Sequence, residues 1–339
     1  MPRRKLFPAV LIGACALLVV VGASTAAAAV PKAKAKVSLE SRSFALPPGN
    51  VNGGLATATA PCPGNRTLIG GGSLFPTGTP QLGTNIELSS SGPVSNSWET
   101  IYDNNGVVAQ TVISDAFCLK NKLTVKGGEG GRVRPKVKQV TEPLALPADG
   151  ANLGVATVTV SCPRGYTVTS GGARFLGGTP GTTNANEVIV WESGPEGNGW
   201  RVTYDNDSDD AAGNAEASAL CLKNKSKVKA GEDGKARARV KHVEETLTLP
   251  PQATNTGVGE LDVACPGGTK LVGGGARYVP GTPAVETDNA VSNPEDGGLE
   301  LFESGPNGNS WHVRYNNNEA VAQSVLVTAS CLRKNLKVK

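Results

Sequence analysis

Four carboxylates in one stretch are the closest this chain comes to a ligand set. Asp205, Asp207 and Asp209 alternate, and Glu216 follows eleven residues after the first of them. Calcium takes about six to eight oxygen ligands, and carboxylates at positions 1, 3, 5 and 12 of a loop collect them. Position 6 here is Asp210, where the sharp turn of such a loop uses glycine, and the flanks read as strands rather than helices. The equivalent stretches Asp103-Asn104-Asn105 and Asn316-Asn317-Asn318 carry less charge. The segment therefore reads either as a calcium site or as a solvated acidic turn. No other metal and no organic cofactor is expected.

Nucleophilic and acid–base chemistry find little support. The chain has two histidines, His242 and His312, and neither has an acid or nucleophile repeated beside it. No G-x-S-x-G elbow, H-E-x-x-H helix or Walker loop occurs. Glycine runs such as Gly70-Gly71-Gly72 lack a following helix whose N-terminus would hold an anion. Close backbone approach or a β-bulge accounts for them better. A carboxylate pair is the remaining route to catalysis. Glu187 with Glu192 would serve, and Glu300 and Glu303 recur further on, but the first part of the chain offers only Glu87. That is the alternative reading, a secreted hydrolase of polysaccharide or cell wall. The preferred reading is a protein that is not an enzyme.

Charge is the stronger signal. Residues 119–141 hold seven bases against Glu129, and residues 222–242 hold eight against Glu232 and Asp233. Lys32, Lys34, Lys36 and Arg42 add to the start, and Arg333, Lys334, Lys337 and Lys339 to the end. Lys223, Lys225, Lys227 and Lys229 form the densest run. Three of the 33 bases lie in the first five residues, which leaves 30 against 29 acids and makes the segments between the basic stretches acidic. Basic stretches of this kind suit anionic cell-envelope or extracellular glycopolymers. The plainer alternative is solubility, with lysines guarding strand edges against aggregation. Nucleic acid is not expected, because the basic segments lack aromatics on which bases would stack. Trp191 has no tryptophan counterpart elsewhere and is the aromatic expected to make an exposed ligand contact.

The elements that must position these residues follow from the cysteines. Cys62 opens CPGNRTLIGGG, Cys162 opens CPRGYTVTSGG and Cys265 opens CPGGTKLVGGG. Cys118, Cys221 and Cys331 close the same three stretches, in FCLKNK, LCLKNK and SCLRKN. Between them recur SGPVSNSWETIYDN, ESGPEGNGWRVTYDN and ESGPNGNSWHVRYNN. A period near 100 residues, with a cysteine pair in each copy, describes tandem units, since solenoid repeats run to about 20–50. A copied unit must be able to close on itself, which selects the pairs Cys62–Cys118, Cys162–Cys221 and Cys265–Cys331. Each bridge would contribute about 4 kcal/mol by loop entropy. Zinc is the weaker use of these cysteines, because C-x-x-C spacing and matching histidines are missing.

Parity within the units reads as strands. Val160, Val158 and Ala156 share a face against Ser161, Thr159 and Thr157, and Trp200, Val202 and Tyr204 share another. Alternation of period two is the mark of a half-buried strand. With 43 glycines, 23 prolines and 4% aromatics, the composition argues against helical bundles. The expected fold is all-β: three tandem antiparallel β-sandwich-like domains, each with one internal disulfide. An immunoglobulin domain would place its tryptophan soon after the first cysteine, whereas Trp200 is 38 residues beyond Cys162. The order C-P-x-G, G-G-G, G-W or S-W, then the closing cysteine, resembles a β-rich single-disulfide module of secreted bacterial proteins. The resemblance covers the units, not the connectors, and implies no activity.

The start of the chain is an address. Arg3, Arg4 and Lys5 precede an apolar run to about Ala23 and then the small residues Ala26 to Ala29, the layout of a secretory signal peptide. An uncleaved anchor is the alternative, since roughly 18 apolar residues just span a bilayer. The expected organisation is a signal peptide at 1–29, units at 37–119, 138–222 and 241–332, basic connectors at 120–137 and 223–240, and a basic tail at 333–339. No membrane span is expected after cleavage. The function expected is multivalent binding or a structural role outside the cell or at its surface, where linked weak sites raise avidity by about 10²–10⁴.

Overall fold

The computed structural model describes residues 30–49, 54–76, 86–127, 130–147, 154–176, 188–206, 213–229, 234–252, 257–279, 299–318 and 320–339. Three quarters of these residues are in strands. The chain opens with β1 (Lys32–Lys34). The first unit supplies β2 (Val37–Leu46), β3 (Ala56–Pro61), β4 (Arg66–Leu74), β5 (Ile86–Val94), β6 (Ser97–Asn104) and β7 (Gln110–Lys120). The segment expected as a connector forms β8 (Leu123–Lys126) and β9 (Arg132–Val133). The second unit repeats the order as β10 (Val137–Leu146), β11 (Ala156–Ser161), β12 (Tyr166–Phe175), β13 (Val188–Glu196), β14 (Gly199–Asn206) and β15 (Gly213–Lys223). After β16 (Lys225–Lys229) and β17 (Lys235–Arg237) come β18 (Val240–Leu249), β19 (Gly259–Ala264), β20 (Thr269–Tyr278), β21 (Leu299–Asn307), β22 (Ser310–Asn317) and β23 (Gln323–Arg333). The last strand is β24 (Asn335–Val338).

The fold is all-β and antiparallel, with three disulfides. Each sheet is shared between two units. The strand orders are β10-β15-β12-β5-β6-β3, β11-β14-β13-β20-β23-β18 and β19-β22-β21-β4-β7-β2. Each unit thus gives three strands to one sheet and three to another, and the third unit returns to the first. At every junction one residue pair bridges the units: Ala173 with Ser91, Ser193 with Ala276, and Ser304 with Ser73.

The glycine runs allow these junctions to close. A Cβ on Gly71, Gly171 or Gly274 would overlap the indole of Trp98, Trp200 or Trp311 in the same unit. A Cβ on Gly72, Gly172 or Gly275 would overlap the carbonyl of Ser304, Ser91 or Ser193 in the neighbouring unit. One glycine admits the tryptophan, and the next admits the adjoining strand. The three indoles are buried, and each donates Nε1–H to a serine hydroxyl, Ser91 at 3.0 Å, Ser193 at 3.0 Å and Ser304 at 3.2 Å.

The register of β5, β13 and β21 shifts at Ser89, Trp191 and Phe302. A bulge of this kind takes a residue out of the ladder and frees its carbonyl. Tyrosines of other units fill those carbonyls. Tyr204 donates to Ser89 O at 3.1 Å, Tyr315 to Trp191 O at 3.1 Å and Tyr102 to Phe302 O at 2.6 Å. Burial pushes all three phenols well above the ordinary tyrosine range, so they remain donors at any physiological pH. The disulfides run the other way. Cys62, Cys162 and Cys265 follow β3, β11 and β19, while Cys118, Cys221 and Cys331 lie in β7, β15 and β23. Each bridge therefore ties the two sheets to which its unit contributes.

Replacing Gly172 by Ala should destabilise the protein by about 1–3 kcal/mol or more, because overpacking at a backbone contact forces the strands apart. Gly64→Ala is the control, since no atom lies within 4 Å of the added methyl. Urea unfolding should show a lowered midpoint for the first and an unchanged one for the second.

Candidate functional site

Six short strands, from both connecting regions, the segment before the first unit and the tail after the third, meet in one place. They close a barrel in the order β1-β24-β17-β16-β9-β8. Its pattern is the K-x-K alternation of the sequence turned into two faces. Ala33, Leu123, Val125, Val133, Ala236, Leu336 and Val338 point inward and are buried. Lys32, Lys34, Lys126, Arg132, Lys225, Lys227, Lys229, Lys235, Arg237 and Lys337 are exposed outside. Small alanines and branched valines fill an interior of this width, as small barrels are filled by side chains and hold no channel. Gly127, Gly130 and Gly131 take positive φ around the β8–β9 turn, a conformation that glycine adopts at no steric cost.

The outer face is electrostatically frustrated. The register sets Lys32 beside Lys337 and Lys126, Lys225 and Lys337 beside Arg237, Lys227 beside Lys235, and Lys229 beside Arg132. Like charges directly opposite on a sheet are destabilising. Two unit charges at roughly 5 Å repel by about 0.8 kcal/mol in water before salt screening. The described residues of the barrel include no acid, and none of these bases forms a salt bridge with a described residue. Among the described residues no acid offsets this charge.

The expected site residues fall into two groups. Lys225, Lys227 and Lys229 stand exposed on β16. Lys223 belongs to β15 instead, half-buried with its ammonium 5.9 Å from the Tyr166 ring centroid. Trp191, expected to be an exposed contact, is buried at 2% exposure. It is the bulged residue whose carbonyl takes the Tyr315 hydroxyl, and its ring faces no solvent. Of the carboxylates read as a calcium set, Asp207 and Asp209 lie outside the described residues. Asp205 on β14 is buried, while Glu216 on β15 belongs to a different sheet and pairs with Arg174 at 2.8 Å.

The acid–base candidates are engaged in packing. Glu192 accepts from Arg201 Nε at 3.0 Å, Thr203 Oγ1 at 2.5 Å and the Tyr278 amide at 2.6 Å, whereas Glu187 lies outside the described residues. Glu303 lies 3.6 Å from His312 and 3.7 Å from Arg314, and burial pushes its carboxyl above the usual range. Glu300 accepts from Asn316 at 3.3 Å and Asn318 at 2.9 Å. His242 Nδ1 sits 3.1 Å from Ser330 Oγ, and burial lowers its pKa. The sequence pattern did not single out Thr124 and Asn335, two neutral residues within the basic barrel. The signal was present in the aligned ends LKNKLTVK, LKNKSKVK and LRKNLKVK.

Compared with known proteins, the chain matches no family model and no curated protein.

Buried acids give stability a pH slope. Burial raises Asp103 and Asp115 to about 6. Between about pH 4 and 6 the folded state keeps protons that the unfolded chain has released, so stability falls as pH rises through that window. The loss is about 3 kcal/mol per group and is complete above the folded value. His242, held neutral, acts oppositely and weakens the fold as pH drops below its ordinary value. Ser218 and Thr328 occupy the place of Asp115 in the other units. Asp115→Ser should therefore flatten the decline in urea midpoint between pH 4 and 7 and raise stability at pH 7.5.

Proposed function

We propose that the protein is a secreted or cell-surface binding and structural protein that holds anionic glycopolymers of the envelope through its basic barrel. The observation that carries this reading is that each basic segment contributes strands to one closed barrel, whose ten exposed bases have no partner acid among the described residues. Concentrating like charge costs stability, and binding a polyanion recovers that cost while releasing the polymer's counterions. Three disulfides suit an oxidising compartment outside the cytoplasm. Among the described residues, no helix is long and apolar enough to cross a membrane. The resemblance to a secreted bacterial β-rich module points the same way. The disulfide-tied sheets act as the rigid body that displays the barrel, and no catalytic step is assigned to them.

Long polygalacturonate is the probe for this reading, titrated from about 0.05 to about 0.5 M salt. Affinity should fall steeply, because exposed charges are screened within about 8–10 Å at physiological ionic strength. Lys225→Gln/Lys227→Gln/Lys229→Gln should weaken binding about tenfold, the loss of roughly 1.4 kcal/mol spread over three exposed charges. Lys223→Gln should change it little, because that ammonium lies against Tyr166. Binding that ignores salt, or a triple variant that binds like the parent, overturns the proposal.

A further inference from the structure

The barrel is not uniform. Aligning the three closing segments sets Thr124 at the position of Lys227 and Lys337, and Asn335 at the position of Lys122 and Lys225. Both exceptions flank one strand. Lys34 on β1 pairs with Asn335 on one side, and the register of Lys32 with Lys126 carries on to place Thr124 on the other. Its counterpart Arg237 is flanked by Lys225 and Lys337. Two short polar side chains in place of two long cations leave an opening there. A groove of about 650 Å³ lies along β1; its polar lining is Lys32, Lys34, Lys36, Thr124, Lys126 and Asn335, beside Val30 and Gly127. Sites for small molecules commonly measure about 300–1,000 Å³.

We infer that this groove is a specific subsite for one acidic sugar unit of the polymer, an inference that rests on the polyanion reading of the barrel. The chemistry of the lining argues for this class. Four ammonium groups supply the counter-charge for a carboxylate. The Thr124 hydroxyl both donates and accepts, and the Asn335 amide offers donors and an acceptor. Neutral groups of that kind match sugar hydroxyls on either side of an anion, which a wall of lysines alone cannot do. The groove also relieves the like-charge crowding found elsewhere on the barrel, so Lys34 is free of a cation directly beside it on both flanks.

Charge and shape predict opposite signs for one variant. Thr124→Lys/Asn335→Lys restores the pattern of the other two segments, adding two positive charges while filling the groove. A short oligouronate should bind this variant about tenfold more weakly than the parent by calorimetry, although its net charge is more favourable. Lys34→Gln/Lys126→Gln should weaken the same probe about tenfold, and Lys227→Gln/Lys229→Gln, on the opposite side of the barrel, about twofold. All these side chains are exposed, and thermal unfolding checks that the folds match. Equal or tighter binding by Thr124→Lys/Asn335→Lys overturns the groove while leaving the barrel reading in place. Equal losses from the two Gln pairs do the same. If neither the short oligomer nor the long polymer binds the parent protein, the barrel reading falls and the groove with it.

Discussion

No unit of this protein can complete its sheets alone, and the structure follows from how the missing halves are supplied. The strands β4, β12 and β20 reach the edge of their own unit and continue into β21, β5 and β13 of another. An open junction at those edges would leave buried backbone groups without partners, each costing about 1–3 kcal/mol. The bulges at Ser89, Trp191 and Phe302 would add three free carbonyls to that cost. The tyrosine hydroxyls remove it, each from a different unit, and the cycle closes only when the third unit meets the first. Closure brings Tyr102 near the start of the chain onto Phe302 near its end. Folding of one part is therefore tied to completion of the whole.

The disulfides and the shared sheets restrain different motions. A shared sheet holds neighbouring units together by ladder bonds and packing. A bridge from the end of β3 to β7 holds the two halves of one unit together across sheets. Neither alone encloses the core, because a unit could splay between its halves or separate from its neighbour. Together they cross-link every sheet to every other. This explains how a chain with only 4% aromatics keeps its four tryptophans and three junction tyrosines almost wholly buried.

Much of this was legible, and the illegible part has a physical cause. Local alternation disclosed the strands, and repetition of the cysteine stretches disclosed the three bridges, because both depend on contacts within one copy. Gly71, Gly171 and Gly274 could be read as close approaches, and each is one, against the tryptophan of its own unit. Pairing between units leaves no such mark: Ser91 and Ala173 carry nothing in their identities that says they meet. Trp191 was misleading for a related reason. Its position admits Ser89 and Phe302 in the other units because the fold uses the carbonyl there, so the side chain signals nothing about exposure. Lys223 looked like the first member of a run, yet the chain crosses from one sheet into the barrel immediately after it.

The closed barrel bears on why the lysines are there. Lysines on exposed edge strands blunt edge-to-edge pairing, and the sequence alone leaves that explanation open. The edges of the three sheets are β2 and β19, β3 and β10, and β11 and β18. Those strands carry mixed charge, acids or little charge: Glu40 with Arg42 in β2, Lys138 with Glu142 and Pro143 in β10, Lys241 with Glu244 and Glu245 in β18, and Glu260 with Asp262 in β19. Protection of edges is supplied where edges exist, by both signs and by proline. The strands made almost wholly of alternating bases are the ones with a partner on either side, since a closed barrel has no edge to guard. Solubility alone does not require one sign either, and mixing acids among the bases would have removed the opposed like charges at no cost to the pattern. Concentrating ten bases on one edgeless surface is therefore a feature that edge protection and solubility leave unexplained, and the proposed polyanionic partner would account for it.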